Sequence, residues 1–305
     1  MRRISGRTLI LACCLWLCCL WFIGIGSTSA QEPRSPAEEY KAIVKERDTG
    51  SPGFREATTD AERNDALNRG DRFALRFLEF AERNPKDPTA IDALVECIRA
   101  LNAVDSLTQT AWEMNKSSFP VPVKSNVAER ANALLLREYV VSDRMGPICL
   151  RLCYTIRRAF QPFLHRVLEA NPHKEIRAIA CLALAQSQNS RLQKLDLAIE
   201  RPERASRYEG LFGKEDFDQL RREGREKLAK EVESLFELAA GEYGSEKHPY
   251  GGTIGKAASA ELFEIRNLAI GRVLPDVEGV DQDGKRFKLS DYRGKVVLLD
   301  FWQEL

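Results

Sequence analysis

The chain has 305 residues, 44% of them hydrophobic and 30% charged, with a formal net charge of +1; this composition excludes collagen-like and wholly disordered chains. Arg2, Arg3 and Arg7 lie in the first 30 residues, which hold no acid, so the rest of the chain is slightly acidic and offers no electrostatic footprint for nucleic acid or an anionic membrane. The opening is organised as a secretory signal: a basic MRRISGR, an apolar TLILACCLWLCCLWFIGIG, and STSA with small residues at Thr28 and Ala30. Residues 1–30 are expected to be a signal peptide cleaved after Ala30, with an uncleaved N-terminal anchor as the alternative because the apolar run is long. A lipoprotein reading with Cys13 acylated leaves almost no apolar run ahead of the cysteine. The protein is expected to be exported, to a periplasmic or other extracytoplasmic space.

Residues 31–35 form a polar, flexible linker, and residues 36–266 carry a mainly helical pattern. Phe73, Phe77, Phe80 and Ala81 recur at helical spacing and give one apolar face. Asn84-Pro85 ends that helix and Asp87-Pro88 opens the next, whose inward stripe is Ile91, Leu94, Val95, Ile98 and Leu101. FPVPVKS is a loop and NVAERANALLLREYVV a helix. MGPICLRLCYTIRRAFQPFLHRVLEANP is a long helical stretch expected to break near Pro162, where the amide donor is missing. HKEIRAIACLALAQS follows as an alanine-rich helix. The two stretches around Asn84-Pro85 and Asn171-Pro172 share one plan, helix, Asn-Pro turn, helix, with the pairs 87 residues apart. That is a weak internal repeat of the helical-hairpin kind. KEDFDQLRREGREKLAKEVESLFELAAGEYG is charged but keeps an apolar side of Leu220, Leu228, Val232, Leu235, Phe236 and Leu238, and is expected to be a helix with one solvated face. EYGSEKHPYGGTIG is a loop, and KAASAELFEIRNL one more helix.

From Gly271 the pattern changes. VEGVDQDGKRFKLSDYRGKVVLLDFW is expected to give a strand, an Asp283-Gly284 turn, a second strand, a short turn, and a third, doubly buried strand in VVLLDFW.

Of eight cysteines, Cys13, Cys14, Cys18 and Cys19 belong to the signal; Cys97, Cys149, Cys153 and Cys181 remain and none forms a CxxC. They are expected to be small core residues. Export makes disulfides available, and Cys149 and Cys153, one helical turn apart, would then each find a partner on another helix rather than each other. The histidines are His165, His173 and His248, with no HExxH spacing, and GxSxG, P-loop and GxGxxG patterns are absent. Tyr250-Gly251-Gly252-Thr253 lacks the lysine and strand of a phosphate cradle and is expected to be a plain loop. No metal site is expected.

Gly271, Pro275, Asp276, Asp281, Asp283, Gly284, Lys285, Leu289, Ser290, Asp291, Gly294, Lys295, Val296, Val297, Phe301 and Trp302 closely resemble the opening of redoxin domains in the thioredoxin superfamily, of the TlpA-like thiol-disulfide reductase and alkyl hydroperoxide reductase/thiol-specific antioxidant type. The resemblance covers about a tenth of the chain. The helical region also looks like extensions that precede such domains in some exported bacterial proteins. It implies a thioredoxin-like α/β domain and a thiol-disulfide oxidoreductase or peroxidase acting in cell redox homeostasis, with no cofactor beyond the thiols. In the family a WCxxC or equivalent cysteine follows the FW within a few residues, at a helix N-terminus that stabilises the thiolate. Gln303, Glu304 and Leu305 stand there instead, and no catalytic, cofactor-binding or metal-binding residue is assigned. Residues 267–305 are therefore expected to be the N-terminal part of a truncated redoxin domain, inactive in thiol exchange alone. The alternatives are a non-enzymatic helical interaction module whose redoxin-like segment is vestigial or docks on a protein partner that completes the sheet, and a split enzyme whose CxxC half is encoded next door.

Overall fold

The structure, a computed structural model, describes residues 35–49, 57–113, 125–269 and 272–300. The expected signal peptide, nearly all of the linker, and Phe301 and Trp302 lie outside the described residues. Those residues are mainly α-helical. The helices are α1 (Pro36–Asp48), α2 (Asp60–Arg83), α3 (Thr89–Glu113), α4 (Val127–Glu138), α5 (Gly146–Leu152), α6 (Gln161–Ala170), α7 (Lys174–Glu200), α8 (Ala205–Phe212), α9 (Lys214–Glu223), α10 (Arg225–Gly241) and α11 (Ile254–Phe263). A two-stranded antiparallel sheet, β1 (Glu278–Val280) and β2 (Arg286–Lys288), follows.

Ser35 and Thr59 cap α1 and α2, each closing a capping box with the glutamate three residues on, Glu38 and Glu62. The apolar stripes face inward as their spacing requires: Phe77, Phe80, Leu94, Ile98 and Leu101 are wholly buried. The two Asn-Pro corners are real, α2 to α3 and α6 to α7. Positions 87 residues apart are buried in both: Phe77 and Leu164, Phe80 and Val167, Leu94 and Cys181, Ile98 and Ala185. At the first corner Asn84 Nδ2 donates to Phe80 O at 3.0 Å and Tyr139 Oη to Pro85 O at 2.5 Å. At the second, buried Asn171 donates through Nδ2 to Val140 O (2.7 Å) and Ser142 O (3.0 Å).

Helix α7 is the central element. Ile176 and the unbroken run from Ala178 to Ala185 are buried, the mark of a helix covered on all sides. Helices α5, α6, α8, α10 and α11 all pack on it. The core they enclose ends at Leu262, with Ile265 packed at its edge. No described residue from Arg272 onward is part of it.

Three expectations are corrected. The break in the long helical stretch precedes Pro162. Helix α5 stops at Leu152, and Pro162 sits in the first turn of α6, where a missing amide costs nothing. The break is held from outside: Ser187 Oγ donates to Thr155 O (2.7 Å) and Arg191 Nη1 to Ile156 O (2.7 Å), so α7 satisfies the carbonyls that leave the helix. The charged stretch is two helices, not one. Gly224, at φ 81° and ψ 149°, separates α9 from α10, and Leu238 is exposed rather than inward. Finally, β1 and β2 form the expected hairpin with Glu278 opposite Lys288, Gly279 opposite Phe287 and Val280 opposite Arg286, but 296–300 form no strand. Among the described residues no strand lies beside that run to take up its backbone groups. Its apolar side chains stand in solvent, Leu298 at 93% exposure.

Candidate functional site

Residues 276–291 support one another. Asp276 accepts Ser290 N–H (2.9 Å) on one carboxylate oxygen and Ser290 Oγ–H (2.6 Å) on the other. These bonds, the serine side chain first, hold the Asp276 carboxyl below its ordinary range. Leu289 N–H reaches Val277 O at 2.8 Å, and Lys288 N–H reaches Asp291 Oδ2 at 2.9 Å. In the hairpin turn, Asp281 Oδ1 accepts from Asp283 N (3.0 Å) and Lys285 N (2.9 Å). Gly284 there has φ 79°, open to glycine at little cost. Each short polar residue thus satisfies an amide that the turn would otherwise leave free.

This segment contains no thiol. Cys97, Cys149, Cys153 and Cys181 are free and buried in the helical domain. Burial pushes each thiol up to about 12. At neutral pH such a group is almost wholly protonated, and the thiolate is the nucleophile. Cys153 Sγ instead lies 2.8 Å from Leu150 O, and Cys181 Sγ 3.5 Å from Leu235 O. They pack as core residues.

The histidines are dispersed. His165 lines a cavity, His173 precedes α7 with Nδ1 3.8 Å from Glu175 Oε1, and His248 Nδ1 accepts Tyr250 N–H at 3.2 Å. Among the described residues no group of three or more His, Cys, Asp or Glu side chains could hold a metal ion. No helix there is long and apolar enough to cross a membrane.

A cavity of about 700 Å³ lies where the starts of α4, α6 and α9 meet, with Arg157, Arg158, His165 and Lys214 in its wall. Its cations are already engaged. Arg157 makes a two-pronged pair with Asp105 (2.8 and 2.8 Å), Arg158 bonds Gln219, and Lys214 pairs with Asp218 at 3.1 Å. Glu129, Glu215 and Asp216 share the wall, so no charge sign prevails. Sequence reasoning missed this cavity because its residues come from stretches far apart in the chain, 125–165 and 211–216.

A smaller pocket of about 100 Å³ is lined by Cys153, Tyr154, Gln186, His248 and Tyr250 over an apolar floor that includes Ile179, Leu182 and Ile254. The Tyr-Gly-Gly-Thr turn was its only sequence signal. No protein-family model, no curated protein and no solved structure matches this chain.

Proposed function

We propose that the chain is an exported redoxin-family protein, periplasmic or otherwise extracytoplasmic. In it a helical domain precedes a thioredoxin-like domain of the thiol-disulfide oxidoreductase or peroxidase class. The observation that carries this reading is the bonding between residues of the pattern: Asp276 with Ser290, and Asp281 with Asp283 and Lys285. That residues fitting the redoxin pattern satisfy the amides of their turns supports the reading. Burial and the raised thiols of Cys97, Cys149, Cys153 and Cys181 support a further point. These four are not the redox pair, and the polypeptide 31–305 is inactive in thiol exchange by itself. In that class a thiolate attacks a disulfide or peroxide and a second thiol resolves the product, with two electrons passing from the thiols.

Two measurements test this. Purified residues 31–305 should not turn over an insulin-type disulfide or a peroxide. Turnover lost on replacing one of the four cysteines by serine would overturn the cysteine assignment. Transcript and genomic sequence across codon 305 should reveal a frame with a cysteine soon after Trp302; a stop at that point sinks the enzyme reading. A non-enzymatic interaction module, docking its redoxin-like segment on a partner chain, would then stand. The exposed run from Val296 to Leu299 favours that second reading, since an exposed apolar segment is a surface for another chain.

A further inference from the structure

The turn between α10 and α11 is built to hold one shape. Gly251 and Gly252 have φ 104° and 75°, values that side chains rarely adopt. Lys247 and Thr253 bridge the turn. His248 N–H donates to Gly252 O (3.1 Å), Gly251 N–H to His248 O (2.9 Å) and Ile254 N–H to Glu246 O (2.9 Å). At the base of the turn a Cβ on Gly255 would lie 2.7 Å from Gly244 Cα. A turn fixed this tightly nevertheless presents an aromatic ring to water: Tyr250 is 65% exposed. Across the small pocket Tyr154, on the turn after α5, is 64% exposed.

Three π-bearing side chains therefore line one pocket: Tyr154, Tyr250 and His248, whose ring centre lies 5.6 Å from that of Tyr250. The floor is apolar and buried. No lysine or arginine lines it. Gln186 in its wall donates to Glu261 Oε1 at 3.4 Å, and Asn189 donates to Glu261 Oε2 at 3.4 Å, so the carboxylate is tied to the wall. Glu261 and Arg151 both reach Cys153 electrostatically, with opposite effect; only the carboxylate is bonded to a lining residue. Aromatic faces attract cations, and an apolar floor suits the methyl groups of an alkylated ammonium better than a hydrated one.

We propose that this pocket binds a methylated ammonium group between Tyr154, His248 and Tyr250, with the Glu261 carboxylate in reach. The volume admits the head group alone, so the ammonium could arrive on a soluble molecule or on a lipid. The site uses no residue of the redoxin-like segment.

The test is calorimetric titration of the full-length chain with choline and with its uncharged carbon isostere, 3,3-dimethylbutan-1-ol. Choline should bind saturably and the isostere more weakly. Tyr154→Ala and Tyr250→Ala, exposed enough to leave the fold intact by circular dichroism, should each weaken choline about twofold to fivefold, and Glu261→Gln should weaken it as well. Absence of choline binding, equal binding of the isostere, or unchanged affinity in both tyrosine variants overturns the proposal. Sedimentation with phosphatidylcholine vesicles separates the sources. Vesicle binding displaced by choline assigns the lipid head group; choline binding without vesicle binding assigns a soluble ligand; either supports the site.

Discussion

Removing the Asp216 charge should expose how the helical domain is locked. Arg191, on α7, has a side chain only 3% exposed. Its guanidinium meets Asp216 in two bonds, Nη1 to Oδ2 at 2.9 Å and Nη2 to Oδ1 at 2.7 Å. It also donates to Ile156 O at 2.7 Å and lies 5.2 Å from the Phe212 ring centre. Asp216→Asn leaves that cation buried with neutral carbonyl acceptors and no countercharge. Breaking a buried pair from one side costs about 3–5 kcal/mol. Asp216 is 19% exposed and water can reach the gap, which puts the cost near about 3 kcal/mol. With a urea slope of about 3 kcal/mol/M, the unfolding midpoint should fall by about 1 M with the slope unchanged. The double variant Arg191→Met, Asp216→Leu removes both charges and should recover part of the loss, the remainder being the Ile156 carbonyl left without its donor. A single-variant midpoint within about 0.3 M of the parent, the range of a surface pair, would refute the reasoning.

The four buried thiols should resist an aromatic disulfide reagent in the folded protein and react together on denaturation; fast labelling of any one in the native state contradicts its burial. Their raised values also fix an alkaline dependence. The unfolded thiols ionise near 9 and the folded ones at about 12, so stability is fully present below 9 and is lost as pH rises toward 12, as a urea series at pH 8 to 11 would record. Glu62 runs the opposite way. Amides of Thr59 and Thr58 pull it down to about 2, so its contribution is present above its ordinary value of 4.5 and fades as pH falls toward 2; carboxyl NMR titration reads this directly. Gly224→Ala meets no neighbour within 4 Å but stays at φ 81°, so backbone strain alone should destabilise the protein by about 1–3 kcal/mol; an unchanged melting curve would contradict that conformation.

The two corners were legible because proline cannot continue a helix and asparagine satisfies what the helix leaves open; both act within a few residues. The stripes of Phe77, Phe80, Ile98 and Leu101 were legible because a 3.6-residue period has one inward face. The break near Pro162 was legible, but its place at Thr155–Arg157 was not, since Ser187 and Arg191, which bond Thr155 and Ile156, stand on α7, a helix away in sequence. Gly224 was hidden in a charged run whose apolar positions fit a single stripe by count alone. The run from Val296 to Leu299 reads as a strand on composition, but a strand exists only with a neighbour to bond. The aromatic pocket joins Tyr154 to Tyr250, distant in the chain, so only the double glycine hinted at it.

Gly213 and Gly224 hold nearly the same backbone angles, φ 86° and ψ 149° against φ 81° and ψ 149°, one at each end of α9. The direction of α9 relative to α8 and α10 is thus set at two residues, each in a conformation that glycine adopts freely and side chains rarely do, while Phe217, Leu220 and the Arg191–Asp216 pair hold its inner face to the body.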